Sequence, residues 1–312
     1  MKIGIDAMVG DFAPDAIVEG AVIAASQLPQ TIRIVLIGKQ DVVNSLLKKY
    51  NYQGEQIDIV HADEVVEMGE HPTKALSQKP HSSISIGFKL LKDKQIDIFC
   101  GAGNTGAMHV GALFSIKAIE GILRPAIVGF VPQKKGGHSI MLDIGANADC
   151  KPEVLEQFGV IGSIFAQQTF QIERPRVALM NIGEEEQKGS VVAQAAHQLL
   201  KDNTRIHFVG NMEGNDLFDD KADVIVTDGF TGNVLFKLAE SFYDVARERG
   251  IQDEYIDKMN YESVGGSSII GVNGNVMIAH GISSATAIKN MITWARKQVE
   301  SHAYVQIAKA LS

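Results

Sequence analysis

The chain has 312 residues, of which 45% are hydrophobic and 21% are charged, and its formal net charge at pH 7 is −8. This composition is ordinary for a folded globular protein and unlike that of a disordered chain. The net negative charge argues against nucleic-acid binding, which needs a basic patch on the protein surface. A local basic patch is still compatible with this balance, so an acidic protein partner stays open.

The two cysteines, Cys100 and Cys150, form no CxxC pair. The sequence therefore argues against a disulfide scaffold and against a zinc site. The amino terminus has no signal-peptide layout, and no apolar run approaches the roughly eighteen residues that cross a bilayer. We expect a soluble protein of the reducing cytoplasm that uses neither a metal nor another cofactor.

Short runs rich in β-branched residues alternate along the chain with segments whose apolar residues recur at helical spacing. In the helix predicted over 16–28, Ile17, Ala21, Ala24 and Leu28 form one apolar stripe, and Pro14 favours its start. Such alternation predicts βαβ units and a mainly parallel sheet covered on both faces, in one domain over residues 1–312. The predicted strands are 2–5, 32–37, 57–60, 96–100, 126–131, 140–143, 177–180, 206–209 and 224–226.

One connection departs from this alternation. Residues 131–138, Val-Pro-Gln-Lys-Lys-Gly-Gly-His, are glycine-rich and join two predicted strands directly. A short glycine-rich link of this kind is typical of a hairpin. The sequence therefore predicts an antiparallel excursion in an otherwise parallel sheet.

The turn after strand 96–100 reads Gly-Ala-Gly-Asn-Thr-Gly over 101–106 and leads into a helix predicted over 107–119. Ligands of parallel α/β sheets gather beyond the carboxyl ends of the strands. Glycines allow close backbone approach, the helix N-terminus attracts anions, and Asn104 and Thr105 add donors. A phosphate cradle and a tight turn with a helix cap are both consistent with this pattern.

The same turn matches the G-x-G-x-x-G pattern of dinucleotide sites. Such a site needs an acidic residue at the end of the next strand to bind a ribose hydroxyl. Here the next strand ends in Val-Pro-Gln at 131–133, without an acid. A nicotinamide-dependent dehydrogenase is therefore the alternative enzyme, and a non-catalytic acyl-carrier or lipid-regulatory binding protein is the alternative from another class.

A second turn of this type, Thr-Asp-Gly-Phe-Thr-Gly-Asn over 227–233, follows strand 224–226 and opens a helix. Asp228 is a candidate base or hydrogen-bond orienter, and Thr231 and Asn233 are candidate donors. Two such turns in one sheet favour a site for an anion or an acyl phosphate over either turn alone.

Two further loops after strands carry polar residues. Lys188, in the loop 181–190, lies at a predicted helix start, where it is either part of a solvated charge cluster or a counter-charge for phosphate. Asp143 and Asn147 lie just past strand 140–143.

The remaining candidates are isolated. Asp6 and Asp11 flank the first strand-to-helix turn and could bind a cation, although helix capping is the commoner role for Asp11. His280 precedes a glycine and a helix cap, but a lone histidine is more often structural. Cys100 is the candidate thiol nucleophile, but the sequence favours a small buried residue, since nothing in it indicates a lowered thiol pKa. With anion cradles and no evident covalent nucleophile, we expect the bound anion itself to attack.

In their order along the chain, these motifs resemble the bacterial phosphate acyltransferase family, the acyl-acyl-carrier-protein:phosphate acyltransferases of phospholipid synthesis. Each piece is short, and the ordered set is specific. The matching pieces are Asp6-Ala7-Met8, Gly10-Asp11, Met68, 72–76, Ser82-Ser83, 103–107, 124–126, Asp143, 145–147, 181–185, 188–189, 210–211, 213–214, 227–233 and His280-Gly281.

The resemblance implies that inorganic phosphate attacks the thioester of a fatty acyl carrier protein, giving acyl phosphate and the carrier thiol. It also implies a Rossmann-like three-layer α/β/α sandwich related to phosphotransacetylases, and a homodimer. Phosphate is already largely dianionic near neutral pH, so the enzyme must supply position and oxyanion donors rather than a strong base.

Four residues receive catalytic roles on this resemblance. Lys188 would neutralise charge, Asp228 would orient donors, Asn233 would serve phosphate and the oxyanion, and His280 would protonate the leaving thiolate. The residues implied in phosphate or acyl binding are Asp6, Asp11, Gly103, Asn104, Thr105, Gly106, Asp143, Asn147, Thr231 and Gly232.

The sequence departs from the family pattern at two places. Val9 replaces a glycine, which puts close backbone approach in that loop in doubt. The stretch 242–264 is short and charged where relatives carry an apolar helical tip, so we expect at most weak peripheral membrane contact. Lys89, Lys92 and Lys94 suit an acidic carrier protein, although a lysine-rich helix end is usually only solvated.

Overall fold

In the computed structural model, which describes residues 1–311, the chain passes twice through each of two units. Unit 1 comprises Met1–Ala118 and Tyr261–Glu300, and unit 2 comprises Ile119–Asn260 and the chain from Ser301 onward. The elements, in chain order, are β1 (Lys2–Asp6), α1 (Asp15–Gln27), β2 (Arg33–Gly38), α2 (Gln40–Lys49), β3 (Ile57–His61), α3 (Pro72–Gln78), α4 (Ser83–Lys92), β4 (Ile98–Gly101), α5 (Thr105–Ser115), β5 (Ala126–Pro132), β6 (His138–Leu142), α6 (Pro152–Phe170), β7 (Arg176–Met180), α7 (Val191–Asp202), β8 (His207–Met212), β9 (Val224–Val226), α8 (Gly229–Glu248), α9 (Glu254–Asp257), β10 (Ser267–Ile270), β11 (Asn275–Ile278), α10 (Ala285–Ser301) and α11 (Ala303–Leu311).

In unit 1 the strands are ordered β3-β2-β1-β4-β11-β10. All neighbours are parallel except β10 and β11, which form an antiparallel pair. The apolar stripe predicted for α1 is buried in the core, together with the apolar face of α10, including Ile288 and Met291. Because β1, β4 and β11 are parallel neighbours, their carboxyl ends lie at one edge of the unit.

In unit 2 the order is β5-β6-β9-β7-β8, with β5 and β6 antiparallel and the other neighbours parallel. The core includes Phe158 and Phe165 on α6, both fully buried or nearly so. Because β5 runs against β6, the residues that precede β5 lie beside those that follow β6. The predicted hairpin at 131–138 is thus confirmed, as are the α/β class and the mainly parallel sheet.

All nine predicted strands are present, with ends shifted by a few residues. The prediction missed β10 and β11, each only four residues long and carrying polar residues at the start. The predicted strand end at Asp143 was wrong, since β6 ends at Leu142, and the Asp143 carboxylate bonds to loop amides instead. Helix α5 begins two residues before the predicted start because Asn104 caps it.

Two smaller expectations need correction. Helix α1 begins at Asp15, so Asp11 does not cap it. The stretch 242–264 exposes more apolar surface than predicted, since Phe242, Val245 and Ile251 are each close to half exposed. Within the described part of the chain, none of the helices combines the length and the apolar character needed to cross a membrane.

Candidate active site

In unit 1, the loops that follow β1, β4 and β11 bond to one another. The Ala279 amide donates to the Gly101 carbonyl at 2.8 Å, and the Asp11 amide donates to the Gly281 carbonyl at 2.8 Å. These bonds bring the candidates Asp6, Asp11, Asn104, Thr105 and His280 to one edge of the sheet, as the strand-end argument predicted.

Gly103 and Val9 are in close contact where two of these loops meet. A Cβ atom on Gly103 would lie 2.3 Å from Val9 Cγ1, and Val9 is buried. The valine that departs from the family pattern is therefore accommodated because residue 103 has no side chain. The two loops still approach closely at this point.

Asn104 is buried, and its side chain is used within the protein. Its Oδ1 accepts from the Ala107 amide at 3.0 Å, which caps α5. Its Nδ2 donates to the carbonyls of Glu67, Met68 and Glu70 at 3.2, 3.2 and 2.9 Å. The structure therefore supports the helix-cap alternative for Asn104, whose amide hydrogens are already engaged. Thr105 is exposed at the first position of α5, where backbone N–H groups have no partner inside the helix.

Asp6 is fully buried at the end of β1, where its Oδ1 accepts from the Met8 amide at 2.9 Å. Burial raises the pKa of its carboxyl to about 6, while the hydrogen bond from the Met8 amide lowers it by less. This carboxyl is therefore partly protonated near pH 6. His280 is half-buried, with its ring centroid 5.2 Å from that of Tyr261.

In unit 2, the loops after β6 and β9 interlock around Asp143. The Asp143 amide donates to the Thr227 carbonyl at 2.9 Å, and the Thr227 amide donates to the Leu142 carbonyl at 2.8 Å. A Cβ atom on Gly232 would lie 2.0 Å from the Asp143 carbonyl oxygen. Only glycine fits at residue 232 while the loops keep this spacing.

The buried Asp143 carboxylate organises its own loop. Its Oδ1 accepts from the amides of Ile127, Gly145 and Ala146 at 3.0–3.1 Å. Its Oδ2 accepts from the amide and the side chain of Asn147 at 2.6 and 2.9 Å. Asn147 Nδ2 also donates to the Pro125 carbonyl at 2.7 Å. The polar groups of Asp143 and Asn147 are thus used to build the loop.

Asp228 caps α8 and accepts two hydrogen bonds from Thr231. Its Oδ1 accepts from the Thr231 amide at 2.8 Å, and its Oδ2 accepts from the Thr231 hydroxyl at 3.0 Å. Asn233 Nδ2 donates to the Ile144 carbonyl at 2.9 Å, which uses one of its two amide hydrogens. The second hydrogen of Asn233 is available to a ligand.

Lys188 lies elsewhere in unit 2, in the loop after β7, three residues before α7. It lines a cavity of about 490 Å³. Glu184 is paired with Lys221, whose Nζ lies 2.8 Å from the carboxylates of both Glu184 and Asp216. Among residues 1–311, no carboxylate lies within ion-pair distance of the Lys188 amine. The other residues that line the cavity are Ile182, Gly183, Glu184, Glu185 and Glu213.

Neither cysteine forms a thiolate at neutral pH. Cys100 is fully buried, which raises the pKa of its thiol far above its usual range. Burial, followed by the negative charges of Asp143 and Asp228, raises the pKa of Cys150 to about 12. The interpretation of Cys100 as a small buried residue agrees with this environment, because the nucleophilic form of cysteine is the thiolate.

Glu184, Glu185 and Glu213 belong to the pieces of sequence that match the family, but no pattern predicted that they share a cavity with Lys188. Glu184 and Glu185 lie in a charge run, and Glu213 lies 25 residues after Lys188 in the sequence. The pairing of β7 with β8 brings their carboxyl ends together, since the Asn181 amide donates to the Met212 carbonyl at 2.8 Å. A prediction of which strands are neighbours would have been needed to find this cluster.

The fold is of the same class as that of the phosphotransacetylases. A phosphotransacetylase from Streptococcus pyogenes superposes with a TM-score of 0.66 at 18% identity, over 97% of this chain and 94% of that one. A branched-chain phosphotransacylase from Enterococcus faecalis superposes with a TM-score of 0.65 at 15% identity, over 96% and 99% of the two chains. At these identities the likeness shows the fold alone.

The sequence comparisons are more specific. A family model described as a fatty acid synthesis protein matches residues 1–306. The phosphate acyltransferase of Dictyoglomus turgidum is 42% identical over 331 residues, covering 100% of this chain and 98% of that protein. This chain belongs to the bacterial phosphate acyltransferase family, and it is an acyltransferase. The resemblance predicted from the motifs is confirmed, in preference to a dehydrogenase or a non-catalytic binding protein.

Proposed function

We propose that this acyltransferase moves a fatty acyl group from acyl carrier protein to inorganic phosphate, and that the product is an acyl phosphate for phospholipid synthesis. The observation that carries the proposal is the interlocked loop pair of unit 2 at the carboxyl ends of β6 and β9. Asp143 and Asp228 hold this pair in a defined geometry through hydrogen bonds to backbone amides. Such prearrangement suits a reaction that needs position and oxyanion donors.

The reaction balances without a covalent enzyme intermediate. A phosphate oxygen forms a bond to the thioester carbonyl carbon, the carbonyl oxygen carries negative charge, and the carbon–sulfur bond then breaks. The proton of hydrogen phosphate is recovered on the carrier thiol. Direct attack by phosphate fits the chemistry of the protein, since the thiols of Cys100 and Cys150 both stay protonated.

The roles proposed for individual residues follow from their surroundings. Thr231 and Asn233, at the start of α8, would hold phosphate and the developing oxyanion, with Asp228 as orienter and Gly232 allowing close backbone approach. Lys188 would neutralise phosphate charge. In unit 1, we propose that Asp6, Asp11 and the turn from Gly103 to Gly106 bind phosphate or the acyl group, and that His280 protonates the leaving thiolate.

The direct test is phosphate-dependent turnover. Purified protein and a fatty acyl carrier protein thioester should release carrier thiol only when phosphate is present, and hydroxylamine should trap the acyl phosphate as a hydroxamate. Omission of phosphate controls for hydrolysis. Thiol release at the same rate without phosphate, or none with it, would overturn the proposal.

We also propose that the protein is a homodimer that pairs through α8. This helix exposes Phe230, Val234, Leu238, Phe242 and Val245, which are between 44% and 68% accessible. Their spacing of three or four residues places them along one stripe of the helix. An apolar stripe of this length is typical of a helix that packs on a partner, and a second copy carries the same stripe. A cytoplasmic location follows from the proposed carrier-protein substrate.

A further inference from the structure

The loop that carries Lys188 is closed at its ends by one asparagine. Asn181 Nδ2 donates to the Lys188 carbonyl at 3.2 Å, and Asn181 Oδ1 accepts from the Ile182 amide at 2.9 Å. The Lys188 amide donates to the Glu185 carbonyl at 3.0 Å, which forms a turn within the loop. The position of Lys188 therefore depends on where the segment at Glu185 is held.

A second asparagine holds that segment from the neighbouring strand. Asn211 is on β8, and its Nδ2 donates to the Glu185 carbonyl at 2.9 Å. Asn211 pairs with Leu179 in the register of β7 and β8, so its backbone belongs to the sheet. This bond ties the middle of an exposed loop to a fixed element.

His197 sets the orientation of the Asn211 side chain. Since Asn211 uses its nitrogen on Glu185, its oxygen faces His197, where the Nδ1 to Oδ1 distance is 2.8 Å. The oxygen can only accept, so His197 donates from Nδ1. The His197 side chain is buried on α7, and its ring lies edge-on to Phe208 with centroids 5.0 Å apart. The ring is therefore held in place by packing.

We propose that Asn211, oriented by His197, is a positioning residue that holds the loop so that Lys188 is presented to the cavity. Neither residue lines that cavity, and neither would touch phosphate. The inference rests on the proposed role of Lys188 in phosphate binding. It also assigns a function to the buried His197, which the sequence did not single out.

The first experiment measures the loop without reference to activity. Hydrogen–deuterium exchange of peptides that cover 181–189 should speed up in Asn211→Leu and in His197→Phe, which resemble the native side chains in shape and remove the hydrogen bonds. The matched control is Asn273→Leu, because Asn273 Nδ2 donates to three loop carbonyls of unit 1, at Ile116, Lys117 and Ala118. Unchanged exchange at 181–189 in Asn211→Leu, with the fold intact by circular dichroism, would overturn the inference.

The second experiment is a double-mutant cycle with Lys188→Ala, read as kcat/KM for phosphate. Asn211→Leu should lower this value by roughly ten- to hundredfold in the native background, because small displacements of a positioned group are costly. In the Lys188→Ala background, it should change the value less than about twofold, since the group that it positions is gone. Equal losses in both backgrounds would show that Asn211 does not act through Lys188, which overturns the inference.

The two proposals fail in different ways. If wild-type protein shows no phosphate-dependent thiol release, the proposed function fails, and the exchange measurement alone decides whether Asn211 holds the loop. If wild-type protein is active and Lys188→Ala is damaged while Asn211→Leu is not, the function stands and the positioning inference fails. KM for the acyl carrier thioester should stay near the wild-type value in Asn211→Leu, which a general loss of structure would not produce.

Discussion

At the residue scale, the charges around Lys188 predict opposite effects on phosphate binding when the lysine and a nearby glutamate are removed. Glu185 and Glu213 line the same cavity, and neither has a cationic partner within ion-pair distance in the described residues. Without Lys188 the cavity would carry only negative charge from its side chains, which disfavours a phosphate dianion. The balance between one lysine and two glutamates should therefore contribute to the affinity for phosphate.

We expect Lys188→Ala to raise KM for phosphate by roughly tenfold or more, equivalent to about 1.4 kcal/mol. Glu185→Gln should lower that KM, because it removes a repulsive charge and keeps the backbone carbonyl that Asn211 binds. Steady-state kinetics with varied phosphate at a fixed thioester concentration would measure both. If the two substitutions moved KM in the same direction, charge would not be what Lys188 supplies.

Asp6 gives a prediction for the pH dependence of stability. Its pKa rises from 3.8 to about 6 on folding, so the native state holds the proton more tightly than the unfolded state between these values. The contribution of Asp6 is therefore most favourable below pH 3.8, and it declines by about 3 kcal/mol as the pH rises through 6. Asp6→Asn removes this titration. Its free energy of unfolding relative to wild type, from urea denaturation, should be more favourable at pH 7 than at pH 4.5. An equal difference at both pH values would contradict the assignment.

At the element scale, the start of α5 depends on Asn104. The side chain caps the helix and also crosslinks it to the segment before α3 through three carbonyls. We expect Asn104→Ala to lower the free energy of unfolding by about 2 kcal/mol, because a cap and buried hydrogen bonds are lost together.

The control for Asn104 is Ser190→Ala at the start of α7. Ser190 accepts a single bond from the Ala193 amide at 3.2 Å. Its loss should cost about 1 kcal/mol, as is typical of an exposed cap. Urea denaturation of both variants measures the difference. Equal losses would mean that the contacts of Asn104 with the segment before α3 contribute nothing.

The packing of the β6 and β9 loops predicts a strong effect of a small change. Gly232→Ala would place a Cβ atom 2.0 Å from the Asp143 carbonyl oxygen, so the loops must separate. We expect a loss of more than about 3 kcal/mol in unfolding free energy, together with loss of turnover. Gly214→Ala, in the same unit, is the matched control, since its nearest neighbour would be Leu235 Cδ2 at 4.0 Å. Thermal denaturation should separate the two, and similar melting temperatures would show that the loops are not closely packed.

At the scale of the whole molecule, the exposed stripe on α8 predicts the oligomeric state. Light scattering after size exclusion should give twice the mass of one chain. Val234→Glu combined with Leu238→Glu should give the mass of a single chain, because two carboxylates cannot be buried without counter-charges. A wild-type monomer, or a dimer that survives both substitutions, would exclude α8 as the interface.

The same apolar stripe on α8 bears on the prediction of at most weak membrane contact, because it could bind either a second copy of the chain or a lipid surface. A stripe buried between two copies of the chain is not available to a lipid surface. Flotation of the wild-type protein with anionic liposomes should recover little protein in the floating fraction. Recovery of most of the protein there would contradict the prediction and favour a lipid surface as the occupant of the stripe.

The sequence by itself determined the class of fold and the family. Alternation of strand and helix patterns is a local property, so β1 to β9 and the hairpin between β5 and β6 could be predicted from short windows. The strand-end loops could also be recognised, because glycine, asparagine and aspartate at turns act through local backbone chemistry. Strands β10 and β11 were not predicted, because each has only four residues and begins with a polar one, which leaves too little of the strand pattern to recognise.

Only the tertiary structure decided what the polar side chains in those loops do. Asn104, Asp143 and Asn147 fit a phosphate site by residue type, but their hydrogen bonds go to backbone groups that are distant in the sequence or belong to their own loop. Because β7 and β8 are neighbours, Lys188 lies close to Glu213. The same pairing allows Asn211 on β8 to hydrogen-bond with His197 and to hold the loop of Lys188. Strand order is set by packing of the whole sheet, and a linear pattern of residues does not contain it.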